Sequence, residues 1–176
     1  SGGEPLFRRD VWELIEKILA VGLTFSMVSN GLLLEKCTAN QLALLQKAQW
    51  IDLSVESNRQ ETHDFLRGGK GFLKRTTNGI RLLKQLGIKV NINTTLCRQN
   101  YDDLPGVIAF AKENNVDYIN FQPLHLWNNY HNVEAADKSD MLLTKEQVAQ
   151  LPDYFKALVG LARQEKVRTN IPHVAP

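Results

Sequence analysis

The sequence predicts an α/β domain with parallel strands, built as a partial (β/α) barrel. Three observations carry that expectation. Apolar stripes at helical spacing alternate with short strand-like segments, in units of about 30 residues. Each strand-like segment keeps apolar side chains on one face and small polar ones on the other, at period 2. A parallel sheet covered on both faces normally reads as nearly continuous Val, Ile and Leu, so a systematically polar face needs water, a ligand or internal partners. An open doubly wound sheet has the same element order, and a one-sided sheet with its polar face in solvent is the plainer alternative. A barrel explains the polar face better because that face points inward. Four strands, with one more implied before Ser1, are too few to close an eight-stranded barrel, so the barrel is expected to be incomplete.

The elements follow in order. Val11, Leu14, Ile15, Ile18 and Leu19 form a helical stripe, and Gly22 stops it as a C′ residue would. A strand at about 23–28 alternates Leu23, Phe25 and Met27 with Thr24 and Ser26. Thr38 or Asn40 caps a short helix through Leu42 and Leu45. The next strand sets Ile51, Leu53 and Val55 against Asp52 and Ser54. Gly68, Gly69 and Gly71 make a loop before a long helix with the face Phe72, Thr76, Ile80, Leu83 and Leu86, ended by Gly87. The third strand sets Ile88, Val90 and Ile92 against Lys89, Asn91 and Asn93. Leu104, Val107, Ile108 and Ala111 form a further stripe, and the fourth strand sets Ile119 and Phe121 against Asn120 and Gln122. A last helix begins near Thr144, where T-x-x-Q reads as a capping box, with the stripe Val148, Leu151, Phe155, Leu158, Val159 and Ala162.

Composition excludes several classes. With 176 residues and 43% hydrophobic content the chain has ample core for one globular domain. No apolar run approaches the ~20 residues of a membrane span. The 21 basic and 19 acidic residues nearly balance, which gives no case for nucleic acid or a membrane surface. The cysteines Cys37 and Cys97 lie far apart and form neither a disulfide framework nor a metal-ligand cluster. They read as free thiols of a cytoplasmic protein. No signal peptide is visible, and the chain opens on a turn motif without Met, so its start is not expected to be the natural one.

In parallel α/β folds chemistry gathers at the carboxyl ends of strands. The ends here are Ser1-Gly2-Gly3-Glu4-Pro5, Ser29-Asn30-Gly31, Ser54-Val55-Glu56-Ser57 followed by His63-Asp64 and Arg67, Asn93-Thr94-Thr95, and Gln122-Pro123-Leu124-His125. Glu4 offers a carboxylate suited to an ammonium group, and Arg67 a fork suited to a carboxylate. Singly, each of these ends also reads as ordinary turn chemistry.

Together they resemble the core of the radical S-adenosylmethionine (SAM) superfamily. Gly2-Gly3-Glu4-Pro5-Leu6 looks like its GGEP motif at the end of the second strand, Ser29-Asn30-Gly31 resembles the end of the third, and Ser54-Val55-Glu56 resembles the S-x-D of the fourth. The run His63-Asp64-x-x-Arg67-Gly68, with Gly71-Phe72, Ile80, Leu82-Leu83 and Gly87-Ile88, is similar to members carrying a SPASM or related auxiliary domain. Asn100 sits where such proteins often have an asparagine after the fifth strand.

The resemblance implies a TIM-type barrel core over residues 1–124, with a post-core loop and C-terminal helix over 125–176. It implies that Gly2, Gly3 and Glu4 receive the SAM amino group, Ser54 the ribose or carboxylate end, and Arg67 the carboxylate. Ser29 and Asn30 join them at the cofactor, while Asn93 and the backbone near Leu124 lie beside the ribose and adenine. Gln122, His125 and Trp127 are candidate substrate contacts; His125 and His131 lack a third ligand for a metal. No catalytic residue is assigned. The implied chemistry is reductive cleavage of SAM by a [4Fe–4S] cluster to a 5′-deoxyadenosyl radical, then hydrogen abstraction from a peptide or small-molecule substrate, with an electron-donor protein as partner. The family's CxxxCxxC loop lies upstream of GGEP, and Cys37 and Cys97 have neither its spacing nor its position. The chain is therefore expected to be an inactive fragment of a radical SAM enzyme that binds no cluster itself. The alternative is a non-catalytic SAM- or nucleotide-binding module that has lost its cluster. An ordinary barrel lyase or aldolase ranks last, because Lys89 begins its strand and no paired acids occupy strand ends.

Overall fold

The structure is a computed structural model, and it describes residues 3–124 and 139–171. Four parallel strands form one sheet in the order β1 (Met27–Ser29), β2 (Ile51–Ser54), β3 (Val90–Leu96) and β4 (Tyr118–Pro123). Helices connect them: α1 (Val11–Ala20) precedes β1, α2 (Ala39–Leu45) follows it, α3 (Gln60–Arg67) and α4 (Phe72–Gln85) lie between β2 and β3, and α5 (Leu104–Glu113) lies between β3 and β4. A last helix, α6 (Lys145–Glu165), packs against α5. The expected α/β architecture with an incomplete barrel is what the chain adopts.

The period-2 pattern has its physical consequence in β2 and β3. Ile51, Leu53, Val90 and Ile92 are fully buried against the helices, while Asp52, Ser54, Asn91 and Asn93 stay half-buried on the other face. Register places Asp52 beside Asn91 and Ser54 beside Asn93. Those polar groups partly satisfy one another: Asn91 Nδ2 donates to Asp52 Oδ1 at 2.9 Å, and Asn120 Nδ2 donates to Asn93 Oδ1 at 3.1 Å. The cost of a half-buried polar face is thereby reduced.

The first strand differs from its expected extent. Only Met27–Ser29 pair with β2, whereas Leu23 is 62% exposed and lies outside any strand. Val28 shares the register position of Asp52 and is 53% exposed, so this end of the inner face carries an apolar side chain. Past α6, Ile119 N donates to Arg168 O at 2.8 Å and Asn170 N to Ile119 O at 3.3 Å, a short parallel bridge at Thr169. Asn170 Nδ2 then donates to Asn120 Oδ1, lengthening the amide row across the sheet to Asn93, Asn120 and Asn170.

Caps fix the helix ends that carry site loops. Thr38 and Thr144 each form a capping box, with Gln41 and Gln147 respectively. Asp64, the last-turn residue of α3, accepts from the backbone N–H groups of Gly71, Phe72 and Leu73 and so caps the start of α4. The Gly-rich stretch therefore serves a turn: Gly68 and Gly71 both take φ near +70°, a conformation that side chains with a Cβ resist.

Candidate functional site

Four segments converge where the strands β1 and β2 end. Gly3, Glu4, Pro5, Val28, Ser29, Asn30, Ser54 and Arg67 line one cavity of about 280 Å³. Six of the sequence-predicted cofactor residues, Gly3, Glu4, Ser29, Asn30, Ser54 and Arg67, are thus brought together. Gly2, His125, Trp127 and His131 lie outside the described residues.

Glu4 is the keystone of the first wall. It caps a turn of 3-10 helix at Pro5–Phe7, accepting from Leu6 N at 3.2 Å. The same carboxylate accepts from Ser29 Oγ at 2.7 Å and from Asn30 N at 2.7 Å, so it fastens the GGEP turn to the end of β1. The loop after β1 is held from the other side by α4. Thr76 Oγ1 donates to Asn30 O at 2.9 Å, and Arg75 donates to Leu32 O at 2.6 Å. Gly31 sits at φ +77°, the left-handed conformation that calls for glycine, with Thr76 Cα 3.4 Å from where a Cβ would stand.

The second wall is Ser54 with Arg67. The Ser54 hydroxyl is half-buried and has no hydrogen-bond partner among the described residues, an available donor and acceptor at the cavity. Arg67, with about a third of its side chain exposed, pairs with the Glu56 carboxylate at 3.3 Å. Glu56 is buried; desolvation pushes its carboxyl above the usual range, against the opposing pull of Thr95 N–H and Arg67. Behind it, Asn100 Nδ2 donates to Glu56 O at 2.8 Å and Thr95 O at 2.9 Å, and Asn100 Oδ1 accepts from Cys97 N at 2.8 Å. Ser57 donates to Asp103, which also pairs with Arg59.

His63 is 1% exposed, and its Nδ1 accepts from Glu56 N at 3.2 Å. Burial lowers its pKa to about 4, helped by the Arg67 charge and opposed by Asp64. The folded chain thus keeps His63 neutral down to about pH 4, whereas the unfolded chain protonates it near 6.5. Its contribution is complete above pH 6.5 and is lost as pH falls toward 4, a change of roughly 3 kcal/mol. Glu56, with its raised pKa, has the opposite slope above its unfolded value. His63→Asn, which keeps an acceptor near Nδ1 but cannot titrate, isolates the histidine. Urea unfolding at pH 7.5 and 5.0 should show the wild type losing clearly more stability than the variant; parallel losses would reject the assignment.

Asn93 and Leu124 lie apart from this cavity. Asn93 neighbours Ser54 in register and is tied to Asn120. Leu124 N donates to Leu96 O, and Leu124 lines a second cavity of about 510 Å³ with Gln122, Phe121, Leu142, Leu151 and Phe155. That cavity is mostly apolar and was not foreseen from sequence. Glu56 and Asn170 were also missed as site-forming groups; the short run Val167 to Ile171 carries too few residues to read as a strand.

Residues 1–111 match the family model of the radical SAM superfamily. The chain belongs to the radical SAM superfamily. The AdoMet-dependent heme synthase of Methanosarcina barkeri is 30% identical over 97% of the chain and 52% of that protein. The PqqA peptide cyclase of Xanthomonas axonopodis pv. citri is 27% identical over the whole chain and 45% of that protein. The chain therefore spans about half the length of the curated relatives it matches. Among solved structures, Streptococcus suis SuiB bound to S-adenosylmethionine superposes with a TM-score of 0.73 at 18% identity, over 96% of the chain and 37% of SuiB. This likeness supports the barrel-type fold.

Radical SAM membership implies SAM and a [4Fe–4S] cluster. The polar cavity fits the first: it presents the Glu4 carboxylate, the Arg67 guanidinium and the Ser54 hydroxyl, which has no partner among the described residues. The thiols of this chain do not fit the second. Cys37 Sγ donates to Leu33 O at 3.7 Å, Cys97 is buried, and burial pushes both thiols above their usual range, away from the thiolate that iron needs. Among the described residues no three of His, Cys, Asp and Glu group to hold a metal, and no helix is long and apolar enough to cross a membrane.

Proposed function

We propose that this chain is the SAM-binding part of a radical SAM enzyme acting on a peptide or small-molecule substrate, with an electron-donor protein as its partner. The observation that carries the reading is the single cavity formed by Gly3, Glu4, Ser29, Asn30, Ser54 and Arg67 at the carboxyl end of the sheet. Bound SAM supplies the radical chemistry of the family; the residues of this chain hold and orient it. Glu4, with the carbonyls of Gly2 and Gly3, receives the ammonium group. Arg67 and Ser54 face the carboxylate and ribose. Asn93, which neighbours Ser54 in register, and the backbone near Leu124 are the candidates for the ribose and adenine, and Gln122, His125 and Trp127 are the candidate substrate contacts. The similarity to a heme synthase and to a peptide cyclase supports an enzymatic role with a substrate of either class.

Ser54→Ala is the cleanest test, because its hydroxyl makes no hydrogen bond among the described residues. Calorimetric titration of SAM into the intact protein should show affinity falling by roughly three- to tenfold, one hydrogen bond's worth, with the melting temperature unchanged. Unchanged SAM affinity would count against the assignment.

A further inference from the structure

Glu56 lies two residues past the end of β2 and is 6% exposed, and each of its polar groups is engaged. Its N–H donates to His63 Nδ1, its carbonyl accepts from Asn100, and its carboxylate accepts from Thr95 N at 2.8 Å and Arg67 Nη1 at 3.3 Å. It thereby joins β2, β3 and α3 at one point. Arg67 lines the polar cavity, so its guanidinium has a buried carboxylate behind it and an open space in front. One of its five N–H donors is used by Glu56, which leaves others for a ligand.

We propose that Glu56 is a positioning residue that holds Arg67 on the cavity wall, and that an anionic group docking on Arg67 draws a proton onto Glu56. The inference rests on the reading of this cavity as the SAM site, the anionic group being the SAM carboxylate. Two carboxylates flanking one guanidinium in a half-buried site repel each other, and the cheaper arrangement places a solvent proton on the buried one. Burial already favours the neutral form of Glu56. By linkage, SAM then binds more tightly as pH falls toward the titration of Glu56.

The surrounding groups leave this signal legible. On α3, His63 stays neutral down to about pH 4 and Asp64 is occupied in capping α4. Beyond β3, the Cys97 thiol is pushed up and stays protonated, and Asp103 is bonded by Ser57 and Arg59. Glu4, in the same cavity, is held by three donors.

SAM and 5′-methylthioadenosine, which lacks the carboxylate, are titrated calorimetrically into the intact protein near pH 6, each in two buffers of different ionisation enthalpy. The expected result is net proton uptake with SAM and none with methylthioadenosine. Between pH 7.5 and 5.5 the wild type should gain roughly three- to tenfold in SAM affinity, and Glu56→Gln should take up no proton and vary less than about twofold. Uptake persisting in Glu56→Gln, or equal uptake with methylthioadenosine, overturns the proposal. Should Glu56→Gln fail to fold, Arg67→Gln makes the same comparison and should also lose the uptake. If SAM does not bind the wild type, the cofactor assignment falls by itself. The pairing is then read from the carboxyl carbon of Glu56 in glutamate-labelled protein. Arg67→Gln should move its titration midpoint upward, and an unmoved midpoint overturns the proposal.

Discussion

Asn100→Ala is expected to destabilise the protein by about 3–5 kcal/mol, which at this size lowers the melting temperature by roughly 8–15 °C. The side chain is fully buried and makes three hydrogen bonds. Truncation leaves Cys97 N–H and one bond each to Glu56 O and Thr95 O without replacement, in a place where water enters poorly. Loss of a buried partner costs more than the bond itself gained, because the orphaned group keeps its desolvation penalty. Asn100→Asp sharpens the test. It keeps shape and the acceptor for Cys97 N, but turns the donor into a second oxygen facing two carbonyls. The aspartate variant should be about as unstable at neutral pH and partly recover in acid, where a carboxyl proton can donate. Urea unfolding of the three proteins at pH 7.5 and 5.0 checks this. A loss under 1 kcal/mol for the alanine variant would show that the clamp is dispensable.

Glu4→Gln should affect both binding and stability. The sequence alone suggests a turn carboxylate with few neighbours, whose replacement leaves the fold intact. The structure corrects that expectation: three donors from two segments converge on the carboxylate. An amide retains one oxygen, and its NH2 group must then face Asn30 N–H or the Leu6 and Ser29 donors. A stability loss of about 1–2 kcal/mol follows. SAM affinity should fall by roughly tenfold to a hundredfold, since the charge-assisted contact with its ammonium group is removed. Paired measurement of SAM affinity and melting temperature separates the two. A lowered melting temperature with unchanged affinity would make Glu4 purely a fastening between the GGEP turn and β1.

Much of this was legible in the sequence, for identifiable reasons. Ile51-Asp52-Leu53-Ser54 and the run Val90–Leu96 alternate cleanly because one face meets helices and the other lines a half-open polar surface. Parity says nothing about where a partner strand begins, so Leu23 and Phe25 read as strand although pairing starts at Met27. Helix α3 escaped notice as an element because it buries only His63 and has no apolar stripe. The same blindness extends to the site. Glu4, Ser54 and Arg67 stand at strand ends or in a motif, and their convergence follows from topology. Glu56 shows in sequence only as the acid of the Ser54-Val55-Glu56 motif, and its hold on Arg67 and Thr95 N–H appears once β3 pairs beside β2. Asn100 shows as an asparagine after a strand, but its clamping role depends on carbonyls 44 and 5 residues away in sequence.

The central claim is that SAM occupies the polar cavity at the ends of β1 and β2. Mapping backbone amide shifts on addition of SAM tests it most directly, because the two candidate cavities have no lining residue in common. The account predicts saturable shifts at Gly3, Asn30, Ser54 and Arg67. Shifts confined to Leu142, Leu151 and Phe155 around the apolar cavity, with those four amides unmoved, would contradict it.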